Sequence, residues 1–413
     1  MIQLITHCRI TCLLVAFVFA SSIRASGQLT VGNVVVYEVG SSGSFPSNGS
    51  AIVLREFTPT GTPAAVLNIP TTGPNAMVGM AASQGGGMSL SPDGERLVFP
   101  GYVDFSAPGV GLPTTTASAI PRAIGTMDAA ENFVRVFASS TLFSSTAIFS
   151  AASDNTNFWG VGQIGGVGYF GPGPETVVTT DLSPATHIAV AGHQLSARSA
   201  NSLSTLPGHG IYDIGAGLPT IEGQPQTQVI AVNPAPPGFQ FNTVRDVCYV
   251  ANFGVQKWIL NGGIWSLAYT LPMGTSGTMQ HVCVDLSGNE PVIYATTFAP
   301  TRLLKWVDTG VASSAVQLAS SIAIWQGIAL APSGPVGMSV PSATAATDLR
   351  AWPDPVHGDQ LFLDQKVDAV VCDALGKKVA VVRQADRIQV DGLLPGVYFI
   401  RTTMGSVLRF VKE

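Results

Sequence analysis

The chain has 413 residues, of which only 11% are charged and 46% apolar, with 45 glycines and 28 prolines. That apolar fraction supports packed cores and argues against global disorder, while so much turn chemistry favours many short strands over long helices. The formal net charge is −5, and residues 28–344 hold 9 basic against 16 acidic side chains without basic clusters, which argues against nucleic acid and anionic membrane surfaces as partners.

Residues 1–27 have the secretory pattern. Arg9 precedes the apolar run from Cys12 to Ala20, and the small residues Ala25-Ser26-Gly27 follow. The run is too short for a bilayer of roughly 30 Å, so cleavage near Gly27 is expected. No later run approaches the roughly 18 apolar residues of a membrane helix, so no transmembrane segment is expected after cleavage. Cys248, Cys283 and Cys372 then remain. In an oxidising compartment Cys248 and Cys283 are the plausible pair; the reading favoured here is that all three are buried small hydrophobes.

The body, residues 28–340, reads as strands and turns. Met88 to Phe99 places Pro92-Asp93-Gly94 between two strands, and a second hairpin turns at Asp154-Asn-Thr-Asn157. A third turns between Asp285 and Asn289. In each, Asp caps the turn through its side chain, and at Gly94 glycine supplies a positive φ. Two later segments echo each other: Tyr249 with Lys257-Trp258, then Tyr294 with Lys305-Trp306. A period of about 45 residues with four strands per unit predicts an all-β β-propeller of about seven blades, with six or eight also compatible. A β-sandwich, single or tandem, is the rival architecture, but it would not need the echo.

The Ser91-Pro-Asp-Gly94 hairpin, the Asp154 to Trp159 stretch, and Gln256-Lys257-Trp258 followed by Asn261-Gly-Gly-Ile-Trp265 resemble a group of secreted propeller proteins. The likeness covers most of residues 30–335 and implies a fold without specifying an activity.

Motifs that carry chemistry are sparse. Gly166-Val-Gly168-Tyr-Phe-Gly171 matches a dinucleotide fingerprint literally, but Pro172-Gly-Pro174 follows where a helix would have to open, so it reads as a glycine-rich hairpin. His187 and His193 are spaced for neither a helical face nor a metal clip, and His209, His281 and His357 read as structural or solvated. No catalytic residue, metal ligand or cofactor site is assigned, and no cofactor is expected. The body is read as a non-enzymatic binding or adhesion module for an extracellular polymer or protein, with Trp265 and Tyr169 as candidate stacking aromatics. The alternative is a metal-dependent hydrolase of lactones or esters, with Asp154, Asn252 and Asp285 gathered around a central channel.

After a linker at 341–352 the texture changes: residues 345–413 hold 18 charges, nine of each sign. Residues 353–413 read as a small antiparallel β-sandwich of six or seven strands entered through Pro353-Asp354-Pro355. The segment resembles the C-terminal type A sorting domain of the type IX secretion system of Bacteroidota. The resemblance is carried by Pro353, Asp354 and Pro355, by the hairpin with Asp373, Gly376 and Lys377, by Leu394, Gly396 and Tyr398, and by the closing run to Lys412. The family favours Asn at the position of Asp354; both residues suit a turn. The resemblance implies export through the periplasm to the cell surface or medium, with the type IX machinery as partner.

Overall fold

The computed structural model describes residues 28–40, 46–80, 85–200, 208–232, 238–334, 350–373, 378–402 and 407–413. The N-terminal segment 1–27, Gly376 and Lys377 lie outside the described residues. The chain divides near residue 335 into two compact units. Almost all its regular structure is strand; the single helical element among the described residues is a 3₁₀ turn, Leu112–Thr114. None of their helices is long and apolar enough to cross a membrane.

The first unit is a β-propeller of six four-stranded antiparallel blades among the described residues. Blade 1 holds Val34–Val39, Ser50–Phe57 and Pro63–Asn68, and blade 2 Ser89–Leu90, Arg96–Tyr102, Arg122–Asp128 and Phe133–Ser139. Blade 3 holds Ile148–Ser153, Phe158–Gly162, Val167–Gly171 and Thr176–Thr179, and blade 4 Ala185–Ala191, Gln194–Ser199, Gly210–Ile214 and Gln226–Ala231. Blade 5 holds Phe239–Phe241, Val247–Asn252, Gly254–Asn261 and Ile264–Pro272, and blade 6 Thr278–Asp285, Val292–Phe298, Thr301–Val307 and Val316–Ser321. The fourth and innermost strand of blade 1 is Ile324–Leu330, which pairs with Val34–Val39 and packs against Thr278–Asp285 of blade 6. The ring thus closes by joining its two ends. The strand Val78–Gly79 bridges blade 1 to blade 2.

The count is six, the lower of the expected alternatives, because the period overcounts. The connection between the second and third strands of blade 2, residues 103–121, carries the 3₁₀ turn and lengthens that blade well past 45 residues. Apolar clusters lie between neighbouring blades, as radial packing requires.

All three anticipated hairpins form. Gly94 takes φ +75°, and Asp93 Oδ1 accepts from Glu95 N at 3.0 Å and Ser91 Oγ at 2.6 Å. Asp154 Oδ1 accepts from Thr156 N and Asn157 N, and Asp285 Oδ1 from Ser287 N. The echo is a shared blade position: Tyr249 lies opposite Lys257 in blade 5, and Tyr294 opposite Lys305 in blade 6, each lysine 5.8 Å from its tyrosine ring.

Cys248 and Cys283 are free, buried and in separate core clusters; Cys372 is half-buried, contrary to the expectation that it would be buried.

The second unit is one five-stranded antiparallel sheet: Ala351–Trp352, Gln360–Asp373, Lys378–Gln389, Gly396–Thr402 and Val407–Lys412. Two pairs of expected strands merge into single long ones bent by register shifts, so the count falls below six or seven. A common core of Val356, Leu361, Val371, Ile388, Ile400 and Phe410 holds the sheet on itself.

Candidate functional site

The six inner strands meet around the propeller axis, where buried polar side chains converge. Ser150 of blade 3, His187 of blade 4 and His281 of blade 6 are all buried. Ser150 Oγ lies 3.2 Å from His187 Nδ1 and accepts a longer bond from Ile188 N at 3.4 Å. The two imidazoles stand 5.2 Å apart, and His187 meets the Phe239 ring edge-on at 5.1 Å. Gly87 lets this cluster close: a Cβ there would sit 2.6 Å from Ser150 Oγ and 3.0 Å from His281 Cε1.

Beside this cluster opens a cavity of about 370 Å³, within the usual size range of small-ligand sites. It lies where the inner strands end, walled by Met88, Ala189, Ala191, Phe239, Phe241 and Ile328, with His187 reaching it from the axis. Several of its polar groups are already engaged. Gln240 clamps the Val284 backbone, donating from Nε2 to Val284 O at 3.1 Å and accepting from Val284 N at 2.9 Å. Ser89 Oγ donates to Ala151 O.

Burial, then the positive charge of Arg198, pulls His187 down to about 3. Burial likewise holds His281 well below the ordinary histidine range, with His187 adding to the effect. Both rings are neutral at physiological pH. His187 therefore makes a poor general base for Ser150 despite their contact, because such a base works best near the operating pH.

Of the expected candidates Asp154 alone borders the cavity. Asp154 and Asp285 sit on opposite blades, each holding its own turn. Asn252 lies past the start of the blade 5 inner strand, away from the cavity, with its Oδ1 accepting from Phe253 N. The three do not meet, and among the described residues no three His, Cys, Asp or Glu side chains could together hold a metal ion. Tyr169 is buried and packs on Trp159; Trp265 packs on Phe241. Burial of Tyr169 corrects its reading as an accessible stacking aromatic, while Trp265 stays half-buried. Gly166 to Gly171 runs into the third strand of blade 3 and opens no helix. His193 is exposed in a turn, and His357 is exposed beside Glu413. His187 and His281 were missed because they are ninety-odd residues apart and only the ring topology joins them.

In the second unit the structure joins the first and last pieces of the expected sorting motif. Asp354 Oδ1 accepts from Val411 N at 2.8 Å, directly after Pro353 and beside Pro355. Tyr398 stacks on Phe410 at 5.5 Å, and its hydroxyl donates to Leu394 O. Gly396 pairs with Lys412 across the last two strands, and Asp373 lies opposite Tyr398.

No protein-family model and no curated protein sequence matches the chain. Solved structures do. A gluconolactonase from Xanthomonas campestris is 10% identical, with a TM-score of 0.41, covering 81% of this chain and 95% of its own. A chain of the mitotic checkpoint complex is 10% identical, with a TM-score of 0.41 over 79% and 94%. The Neurospora crassa Pan2 WD40 domain is 10% identical, with a TM-score of 0.35 over 66% and 74%. At these scores none bears on activity; the architecture stands on the strand order of the chain itself.

Proposed function

We propose that this protein is an exported, non-enzymatic binding propeller that takes its ligand in the axial cavity. The observation that carries the reading is the cavity of about 370 Å³, whose engaged polar groups and largely apolar wall suit retention of a ligand. Fold alone assigns no function. The test is an array of glycans and extracellular peptides probed with the full chain and with Ala191→Trp, which fills the cavity. Binding by the wild type that the tryptophan removes is expected. Binding that is unchanged in the variant overturns the reading.

The C-terminal unit is, on the same proposal, an address for the type IX machinery, which leaves the protein on the cell surface or in the medium. Its supporting feature is the Asp354–Val411 contact that ties the entry segment to the closing strand. Deleting residues 345–413 is expected to strand the propeller in the periplasm; normal export of the truncated chain overturns this part.

A further inference from the structure

The propeller buries two arginines completely and provides for them in opposite ways. The Arg122 guanidinium donates to Thr115 O at 2.7 Å, Ile120 O at 2.8 Å and Thr146 O at 2.9 Å, so that only Nε lacks a partner. Arg198 is equally buried, yet Nε, Nη1 and Nη2 all lack an acceptor among the described residues. Burial pulls it down to about 9, which still leaves it protonated at neutral pH. A lone ion in the protein interior is strongly unfavourable unless something pairs with it.

Among the described residues nothing does so. Arg198 is the cross-strand neighbour of His187 in blade 4, one strand behind the cavity wall. The one acidic group that acts on it is the Cys248 thiol of blade 5, which burial pushes well up and keeps neutral. The Asp213 carboxylate on the next strand of the blade is taken by Arg245 Nη2 at 2.6 Å and Ser196 Oγ at 2.7 Å. His281, whose ring lies tilted against His187, has two ring nitrogens without partners among the described residues; a neutral imidazole offers one of them as a donor.

We infer that the ligand of this propeller carries a carboxylate, and that Arg198 receives it from the cavity side, past His187. A single negative charge balances the single positive one, and the planar fork of guanidinium matches a carboxylate in two parallel hydrogen bonds. A phosphate dianion would leave one charge unmatched beside two neutral histidines. The inference rests on the cavity reading proposed above and names its ligand class.

The test is thermal unfolding of the full chain titrated with sodium acetate, against acetamide and against sodium chloride at equal ionic strength. Acetate alone is expected to raise the midpoint saturably. Arg198→Met is expected to weaken the apparent acetate affinity at least about tenfold, the loss of a charge-assisted pair. Without acetate this variant is expected to unfold at or above the wild-type temperature, since it removes an unpaired buried charge. An equal rise with chloride or acetamide, no saturable rise at all, or an undiminished response in the variant overturns the inference. The three-way comparison on the wild type decides the matter even where the variant fails to fold. A neutral ligand that Ala191→Trp abolishes and Arg198→Met leaves untouched sinks the carboxylate and spares the cavity reading.

Discussion

Lys257 Nζ lies 2.8 Å from Asp308 Oδ2, joining the third strand of blade 5 to the end of the third strand of blade 6. Asp308 is buried, and three more groups serve it: Tyr249 OH at 2.5 Å, Tyr269 OH, and Gly310 N at 3.0 Å. Tyr249, Lys257 and Tyr269 are cross-strand neighbours in one row. Burial alone would raise the Asp308 carboxyl, but the bonds from Lys257, the two tyrosines and Gly310 outweigh it and hold it below its ordinary value of 3.8. A depressed carboxyl stabilises the fold above its unfolded value and loses that contribution as pH falls through the folded one. Asp308→Asn is therefore expected to cost about 2–3 kcal/mol at pH 7, since it leaves a largely buried lysine without its counter-charge. The difference from wild type should shrink below about pH 3.8. Urea midpoints at pH 7 and pH 3 check both points.

Arg122 ties the long blade 2 connection to blade 3 through backbone carbonyls alone and one threonine. Arg122→Met strips the partners from several buried carbonyls at once. A loss of about 3 kcal/mol or more is expected, each orphaned group contributing roughly 1–3 kcal/mol. Chemical denaturation of the two methionine variants side by side should separate Arg122 from Arg198 by sign.

Ring closure is held by a charge-assisted bond. Trp325 Nε1 donates to Glu38 Oε2 at 2.6 Å, and Arg55 grips the same carboxylate at 2.7 and 3.1 Å. Trp325→Phe keeps an aromatic ring near Phe57 but removes that donor. A loss of about 2–4 kcal/mol is expected from the missing bond and the unfilled volume, read as a lower midpoint with an unchanged denaturant slope.

Burial pushes the Cys248 and Cys283 thiols far up, so neither is a ready thiolate. Residues 28–413 titrated with Ellman's reagent should show one accessible thiol, Cys372, in the native state and three in denaturant. A native count of one that stays at one on unfolding would instead reveal a Cys248–Cys283 bond.

Turns and pairing were the legible part. Asp93, Asp154 and Asp285 stand where the turn chemistry requires a side-chain acceptor, and the Tyr–Lys echo marks one position of neighbouring blades. Those signals are local: each depends on residues within a hairpin or on two strands side by side. The blade number was less legible, since a long connection such as 103–121 leaves no trace in a period. The axial cluster was silent, because Ser150, His187 and His281 are ordinary within their own strands and acquire meaning only when the ring closes. Arg198 was hidden for the same reason, since its isolation is a property of what surrounds it. The turn-capping roles of the aspartates, in turn, removed them from the set that could gather a metal.

The pairing of Ile324–Leu330 with Val34–Val39 has a consequence for biogenesis. A ribosome must make almost the whole propeller before the strand that seals it exists. Until then Val34–Val39 presents an open flank of unpaired amides and carbonyls, the kind of surface that recruits stray strands. The nascent chain is thus most vulnerable late, and holding it unfolded until residue 330 has emerged is the safest course a chaperone could take.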